Sequence, residues 1–586
     1  MREFPLYVLR EYAFAADGER GMLVGPRGEI AWMCAPRWES PAIFSTLIGG
    51  DGVYAVTPAN EPFVWGGHYE PGTLIWRSRW TTTSQAFECR EALVRPGDEH
   101  TAVILRRVMA DRGDATVRVI LDPRADFGKH AMSRLTLDQD GWTARCGSLY
   151  LRWSGGGKAT VGANGRLELD LAVQAGQHHD FVLEISDQRL PKTAPTADRL
   201  WDTTSAAWAR SHAITGTLAD RDANHAVAVL RGMTSSSGGM VAGATMALPE
   251  RFQQGRNYDY RYAWIRDQCY AGQAAAQTAQ FGLLDDAIRF VSARLMTDGP
   301  DMKPAYTSNG AAVPEEKPLA LPGYPGGADL IGNRVSRQFQ LDVFGEALLL
   351  FAAAAQNDRL TSEHWRAAEL AVKTIEQRRN RPDAGIWELD KQFWTHSRLA
   401  CVAGLRALAQ WAPRSQAGRW TSLADSILAR ASSTSVHESG RWQRTPTDDR
   451  VDSALLIPAV RGAIEPTDPR TIATLDATIA ELSEECYMYR FRQDERPLGM
   501  TEGAFLLCGF MTSLALHQQG REVEAARWFE RNRAACGTPA LFAEEFSVSQ
   551  RQLRGNMPQA FVHALLLEAA SRLTNPWGNE TRAKHS

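Results

Sequence analysis

At 586 residues the chain is too long for one hydrophobic core, and roughly two to four domains follow from length alone. Its composition, 44% apolar and 23% charged with a net charge of −3, is that of a soluble globular protein without the basic excess needed to neutralise a nucleic-acid backbone or an anionic membrane surface. Nucleic acid and membrane are thereby excluded as partners, and a neutral small molecule is favoured.

The first residues, MREFPLYVLREYAFAADGER, are broken by charges every few positions and lack the apolar stretch and cleavage site of a secretory signal. There is no run of about eighteen apolar residues that would span a bilayer. The eight cysteines lie scattered without close pairs, which reads as reduced, mostly buried thiols of a cytoplasmic protein.

Up to about Thr193 the pattern is strand-like. Thr101–Val108, Ala115–Leu121, Ser148–Trp153, Arg166–Val173 and Asp180–Ile185 are short, β-branched or alternating, and Gly, Asp and Pro punctuate them. Regular short strands with such turns predict an antiparallel β-sandwich over 1–193. A stretch from Pro191 to Pro195 leads into a helical linker over 194–219, with Leu200, Ala207 and Trp208 on one face of its helix.

From about Asp220 the period turns helical and stays so over 220–575. Helices are predicted over 222–232, 266–281, 283–297, 337–356, 361–378, 396–411, 415–436, 451–460, 469–485, 501–519, 521–534 and 557–573. Gly503–Leu516 is apolar nearly all round and must be buried, whereas the next helix has a single stripe of Val523, Ala526 and Phe529. That contrast predicts an inner ring of helices wrapped by an outer one. The long connections Asp298–Ser336, Arg379–Thr395, Ser439–Arg450 and Gly537–Asn556 hold Gly, Pro, aromatics and carboxylates, the material of a site built at one end of a rigid scaffold. A surface-laid tail is expected over 576–586; its Asn579-Glu580-Thr581 sequon has no meaning in the cytoplasm.

Asn257–Gln268, NYDYRYAWIRDQ, packs four aromatic rings, two arginines and two aspartates into one short segment. Flat rings cover the C–H faces of a pyranose, and Asp and Arg make charge-assisted hydrogen bonds to its hydroxyls. The same composition also suits an aromatic loop packed between two domains. Two loop carboxylates stand beside it. Glu388 follows Gly385-Ile386-Trp387, apolar and aromatic neighbours of the kind that desolvate a general acid. Glu544 and Glu545 are adjacent in LFAEEF, where like charges cost energy unless backbone geometry points them apart.

The chain resembles glycoside hydrolase family 15, the glucoamylase and trehalase family of inverting α-glucosidases, almost end to end. The similarity lies in GPRGEIAWMCAPRWESPAIF near the start, YDYRYAWIRD at Tyr258–Asp267, LPGYPGGADLIGNRVSRQFQLDVFGE at Leu321–Glu346, GIWE at Gly385–Glu388 followed by WTHSR, EGAFLLC at Glu502–Cys508, and the FAEEF and NMPQAF pair. The resemblance implies a mainly α protein, an (α/α)6 barrel preceded by an antiparallel β-sandwich domain. It implies Glu388 as general acid and Glu544 as general base. It further implies Arg266 and Asp267 gripping the non-reducing-end glucose, Tyr260 and Trp264 lining that subsite, Ile386 and Trp387 flanking the acid, and Glu502 on the aglycone side. An inverting pair of carboxyls is expected roughly 6.5–9.5 Å apart, with water between.

Lys303 in the Asp298–Pro314 loop and the short Asp390-Lys391-Gln392 stretch depart from the family pattern, so these loops are expected to shape the aglycone subsite. The expected function is an inverting exo-acting hydrolase of a small α-glucoside, trehalose or a short malto- or isomalto-oligosaccharide. A disaccharide phosphorylase on the same barrel is the alternative, disfavoured by the second carboxylate, and a non-catalytic glycan-binding protein is a third reading. No HExxH or paired His/Cys spacing marks a metal site among thirteen histidines, and no organic cofactor is needed. Homo-oligomerisation is left open by the sequence.

Overall fold

The computed structural model describes residues 4–59, 62–251 and 255–575; the expected tail at 576–586 with its sequon lies outside the described residues. The amino-terminal part is a sandwich of two eight-stranded antiparallel sheets. One runs in the order Ala13–Ala16, Gly21–Val24, Glu29–Cys34, Val53–Pro58, Ala115–Asp122, Leu167–Val173 and Thr160–Val161, with Ala42–Phe44 paired onto Glu29–Cys34. The other runs Met132–Asp138, Gly141–Cys146, Leu149–Ser154, His178–Ser186, Thr101–Arg112, Ala86–Leu93, Trp76–Thr81 and Val64–Tyr69.

Alternation along each strand sends one set of side chains between the sheets. In the first sheet's strands from Ala13 to Cys34 both sets are buried: Ala13 and Ala15 pack in the sandwich interior, while Phe14 and Ala16 join the core of the helical part. That sheet is therefore a floor as well as a wall, and Trp32 fixes the contact by donating its indole N–H to the Ala244 carbonyl at 2.8 Å. On the second sheet's outer face lies helix α1 (Ala197–Trp208), whose Trp201 stacks under Arg90 at 4.2 Å and donates to Asp180 at 3.1 Å.

Twelve further helices follow: α2 (Asp220–Met233), α3 (Ile265–Gln277), α4 (Phe281–Asp298), α5 (Asp342–Gln356), α6 (Ser362–Arg378), α7 (Thr395–Ala409), α8 (Arg414–Thr434), the short α9 (Ile457–Val460), α10 (Pro469–Leu482), α11 (Leu506–Gln518), α12 (Glu522–Arg533) and α13 (Ala560–Arg572). Helices α3, α5, α7, α9, α11 and α13 pack in that order and close back on α3. They are buried on nearly every face, whereas α4, α6, α8, α10 and α12 bury one stripe each. The tightest approach in the circuit is between α5 and α7, where a Cβ on Gly404 would stand 2.3 Å from the Gly345 carbonyl oxygen. Only glycine lets these two backbones meet.

Three helices begin five or six residues later than their periodicity predicts; the one expected over 451–460 is α-helical only from Ile457, after a 3-10 turn at Ser453–Leu456. The pattern at 337–356 starts only at Asp342, because Arg334–Arg337 closes a 3-10 turn. That at 501–519 starts at Leu506, because Ala504–Phe505 pairs instead with Glu545 and Phe546. No helix among the described residues is long and apolar enough to cross a membrane. All eight cysteines are free thiols, with Cys486 and Cys536 half-buried and the rest buried.

Candidate active site

The connections at one end of the helical circuit enclose a cavity of about 800 Å³. Its wall takes Glu316, Asn333 and Arg334 from one long loop, Ile386 to Asp390 from the second, Arg444 to Arg450 from the third and Glu544 from the fourth.

The Asn257–Gln268 segment forms one side of it. Residues 256–262 run antiparallel to 242–250, with backbone bonds from Ala242 N to Tyr262 O and Gly243 N to Tyr260 O at 2.8 Å, and from Glu250 N to Arg256 O at 3.1 Å. An extended chain alternates its side chains, so Tyr258 and Tyr260 face the cavity while Asp259 and Arg261 point behind it. Arg261 is fully buried, paired with Asp259 at 2.7 Å, and donates to the Trp38 and Ser40 carbonyls at 3.1 and 2.9 Å. Half of the segment's charge is thus a tie to the sandwich, and half faces the cavity.

The cavity half begins at Trp264, immediately before α3. Tyr258 and Tyr260 lie parallel with centroids 6.2 Å apart, and Trp264 stands edge-on to Tyr260 at 5.6 Å. In the first turn of α3, Arg266 donates Nε to Asp267 at 3.0 Å and Nη1 to the Ile386 carbonyl at 2.9 Å. Burial pushes the Asp267 carboxyl up to about 6 against the pull of Arg266, and its Oδ2 has no protein partner. Arg266 and Asp267 therefore present a guanidinium and an unsatisfied carboxylate oxygen side by side, a fitting pair for vicinal hydroxyls.

Glu388 sits half-buried on a tight turn, where Leu389 N bonds to Ala384 O at 2.9 Å. Its backbone is left-handed, φ 58°, a conformation that costs a non-glycine residue about 1 kcal/mol. The turn aims Oε1 at the Trp264 indole, which donates to it at 2.7 Å. The neighbouring Trp387 donates to Asp452 Oδ1 at 2.8 Å, and Asp452 Oδ2 receives Arg444 Nε at 3.0 Å. Arg444 in turn lies 3.8 Å above the Phe491 ring.

Glu544 and Glu545 do point apart, as a strand requires. Glu544 lines the cavity and receives the Tyr260 hydroxyl on Oε2 at 2.9 Å. Glu545 turns inward, where its Oε2 accepts Gly503 N–H at 2.6 Å. Burial, then the charge of Glu250, raises the Glu544 carboxyl well above the usual carboxylate range. Burial likewise raises Glu545, followed by Glu250 and Glu502. Glu502 stands behind the wall rather than in it, accepting Arg490 Nη2 and Gln493 Nε2. It acts on the cavity by holding Arg490, Gln493 and, at 3.4 Å, Arg256, which do line it.

Among the sequence candidates, Glu388, Glu544, Tyr260, Trp264, Arg266, Asp267, Ile386 and Trp387 all meet in this one cavity, and Glu502 backs it. The Asp298–Pro314 loop does not. Its Ala305–Tyr306 pairs with Ala263–Trp264 from behind, the Tyr306 hydroxyl turns to Asp298 and to the Lys303 amide, and the Lys303 side chain is exposed away from the wall. The more exposed part of the wall is lined instead by Arg334, Arg337, Asp390, Asp448, Arg450 and Gln493, with Arg444 buried behind Asp448. Sequence reasoning also passed over Glu250, Arg256 and Arg490; the last lies 4.5 Å from the Phe505 ring centre and 5.5 Å from that of Trp387.

Comparison with known proteins gives the same picture. Residues 224–571 match the model for glycosyl hydrolases family 15, and residues 9–206 match that of a trehalase-like N-terminal domain. The chain is 27% identical to a trehalase of Mycobacterium tuberculosis over 96% of its own length and 89% of the relative's. It is 24% identical to trehalase 1 of Sulfolobus acidocaldarius over 96% and 98%. A bacterial glucoamylase solved with acarbose shares the fold at a TM-score of 0.70 and 12% identity, covering 96% of this chain and 94% of that one. With the family match spanning more than half of its length, the chain belongs to glycosyl hydrolases family 15 and is a glycoside hydrolase.

Proposed function

We propose that the protein is an inverting, exo-acting α-glucoside hydrolase that releases β-glucose from the non-reducing end of a small α-glucoside, with α,α-trehalose the first candidate. The observation that carries this reading is the cavity shared by Glu388 and Glu544, each held by a ring donor from the same segment, Trp264 for one and Tyr260 for the other. The terminal glucose would sit on Arg266 and Asp267. Glu388 would protonate the glycosidic oxygen as Glu544 takes a proton from water, and that water would attack the anomeric carbon from the opposite face.

The burial of Arg266 and Asp267 in the wall supports a pocket that ends at them, and so exo-action, since a longer chain would then not thread past. The more exposed part of the wall, dense in Arg, Asp and Gln, supports a short hydroxyl-rich aglycone rather than a long glucan, which would call for more stacking surface. Relatives named trehalases match over nearly their whole length, which favours trehalose. The closed circuit of inner helices supports reading the helical part as an (α/α)6 barrel over 220–575, after a sandwich domain over 1–193 and a linker over 194–219.

The test is proton NMR of the sugars released from trehalose, maltose, isomaltose, kojibiose and maltotriose. Inversion of trehalose yields one β- and one α-glucose before mutarotation; release of α-glucose alone would overturn the mechanism.

A further inference from the structure

Glu250 lines the cavity, yet neither proton transfer proposed above uses it. It ends the 242–250 stretch that pairs with the sugar-facing segment, and its side chain is 4% exposed. Oε2 receives Arg256 Nε at 2.8 Å, and Oε1 lies 3.3 Å from the Tyr260 hydroxyl. The same hydroxyl is 2.9 Å from Glu544 Oε2, so one phenol stands between two buried carboxyls. Carboxylate oxygens of Glu250, Glu544 and Glu545 all lie within 4.8 Å of one another.

A phenol has one proton to donate and can accept another. It satisfies both carboxyls only if one of them is protonated: that carboxyl donates its O–H to the Tyr260 oxygen, whose own O–H donates to the ionised one. Two ionised carboxylates would leave one facing an oxygen lone pair, beside a like charge in a buried setting.

We propose that Glu250 is a positioning residue for Glu544, sharing a proton with it through the hydroxyl of Tyr260. The inference rests on the reading of Glu544 as the base. The pair holds one proton, and Glu544 acts as the base from the form in which that proton lies on Glu250. When Glu544 takes a proton from the attacking water, the proton on Glu250 leaves to the cavity. The chain then reorders, Glu544 passing its proton to Tyr260 as Tyr260 passes its own to Glu250, while Glu388 is reprotonated from solvent. One proton enters, one leaves and one returns, so the cycle balances.

The charged and titratable groups around Glu544 are Tyr258, Tyr260 and Arg266 from the segment and α3, Glu250 backed by Arg256, Arg490 backed by Glu502, and the adjacent Glu545. After burial, Glu250 is the largest influence on Glu544 among them.

The experiment is the pH profile of kcat/KM on α-glucosyl fluoride, whose leaving group needs little protonation and so isolates the base. In Glu250→Gln the acid limb should move down by about one pH unit, since Glu250, ionised whenever the shared proton lies on Glu544, no longer opposes ionisation there. In a Tyr260→Phe background the same change should move it less. An unmoved limb in folded Glu250→Gln, or equal displacements in both backgrounds, would overturn the shared proton. Infrared spectroscopy of the wild-type protein gives a second measurement independent of mutant folding: a buried protonated carboxyl stretch is expected near neutral pH, and its absence counts against the proposal. Glu544→Ala with added azide separates the two readings. Formation of β-glucosyl azide upholds the base whatever happens at Glu250, and failure of rescue removes the base reading itself.

Discussion

Trp264 donates its indole N–H to Glu388 at 2.7 Å across 124 positions of sequence, so the residue proposed as acid is aimed by the segment proposed to hold the sugar. Removing either proposed catalytic carboxyl, by Glu388→Gln or Glu544→Gln, should lower kcat by about a thousandfold with the circular dichroism spectrum unchanged. Trp264→Phe, which keeps a ring but loses the donor, should cost about ten- to a hundredfold, as expected for a hydrogen bond to a charged group. Wild-type rates in either Gln variant would refute the assignment.

Activity should fail on the acid side earlier than for an ordinary glutamate. The Glu544 carboxyl is raised by burial and then by Glu250, and a base works only when ionised. The base form is therefore lost as pH falls through that raised value. The acid limb of kcat/KM is expected clearly above the unperturbed glutamate value of about 4.3; a limb at or below it would contradict the burial argument.

Arg444 should discriminate between aglycones. It lies in the cavity wall, held by Asp452 and stacked on Phe491. Arg444→Ala is expected to reduce kcat/KM for a disaccharide by about tenfold, the scale of one charge-assisted hydrogen bond. Hydrolysis of α-glucosyl fluoride, which has no second sugar, should change by less than about twofold. Equal losses on both substrates would assign Arg444 to scaffolding.

The inner circuit should be least tolerant where α5 meets α7. Gly404→Ala would put a Cβ 2.3 Å from Gly345 O and 2.9 Å from Leu348 Cβ, so the helices must separate, at about 2 kcal/mol in a urea titration. Gly418→Ala, on the exposed helix α8 with nothing within 4 Å, should instead gain about 0.5 kcal/mol. Equal effects would show that the contact is not tight in solution.

The strands from Thr101 to Ile185 were legible because many alternate between the sandwich interior and a more exposed face. Those from Ala13 to Cys34 were not, because that end of the first sheet is buried on both faces. Phe14 and Ala16 serve one core and Ala13 and Ala15 the other, leaving no period of two to detect. The helical patterns from 222 to 573 survived because burial differs so sharply between inner and outer helices. In the cavity, NYDYRYAWIRDQ announced itself by composition. Glu250 and Arg490 are single charges in loops, and only the folded chain brings them against Tyr260 and Glu544. The Asp298–Pro314 loop misled for the converse reason: Tyr306 is aromatic and lies near the site in the chain's layout, but its hydroxyl is turned inward to Asp298.

Arg261 holds the back of the sugar-facing wall, and in the sandwich it grips the carbonyls of Trp38 and Ser40 and the Cys34 thiol. Carbonyls are supplied by any sequence. What the amino-terminal part must preserve to keep the wall in place is therefore mostly the path of its backbone at two positions rather than the identity of its side chains. Substitutions that keep that path are tolerated by the tie itself, whereas a one-residue insertion or deletion between 34 and 40 would withdraw the acceptors and be felt at a hydroxyl of the bound sugar.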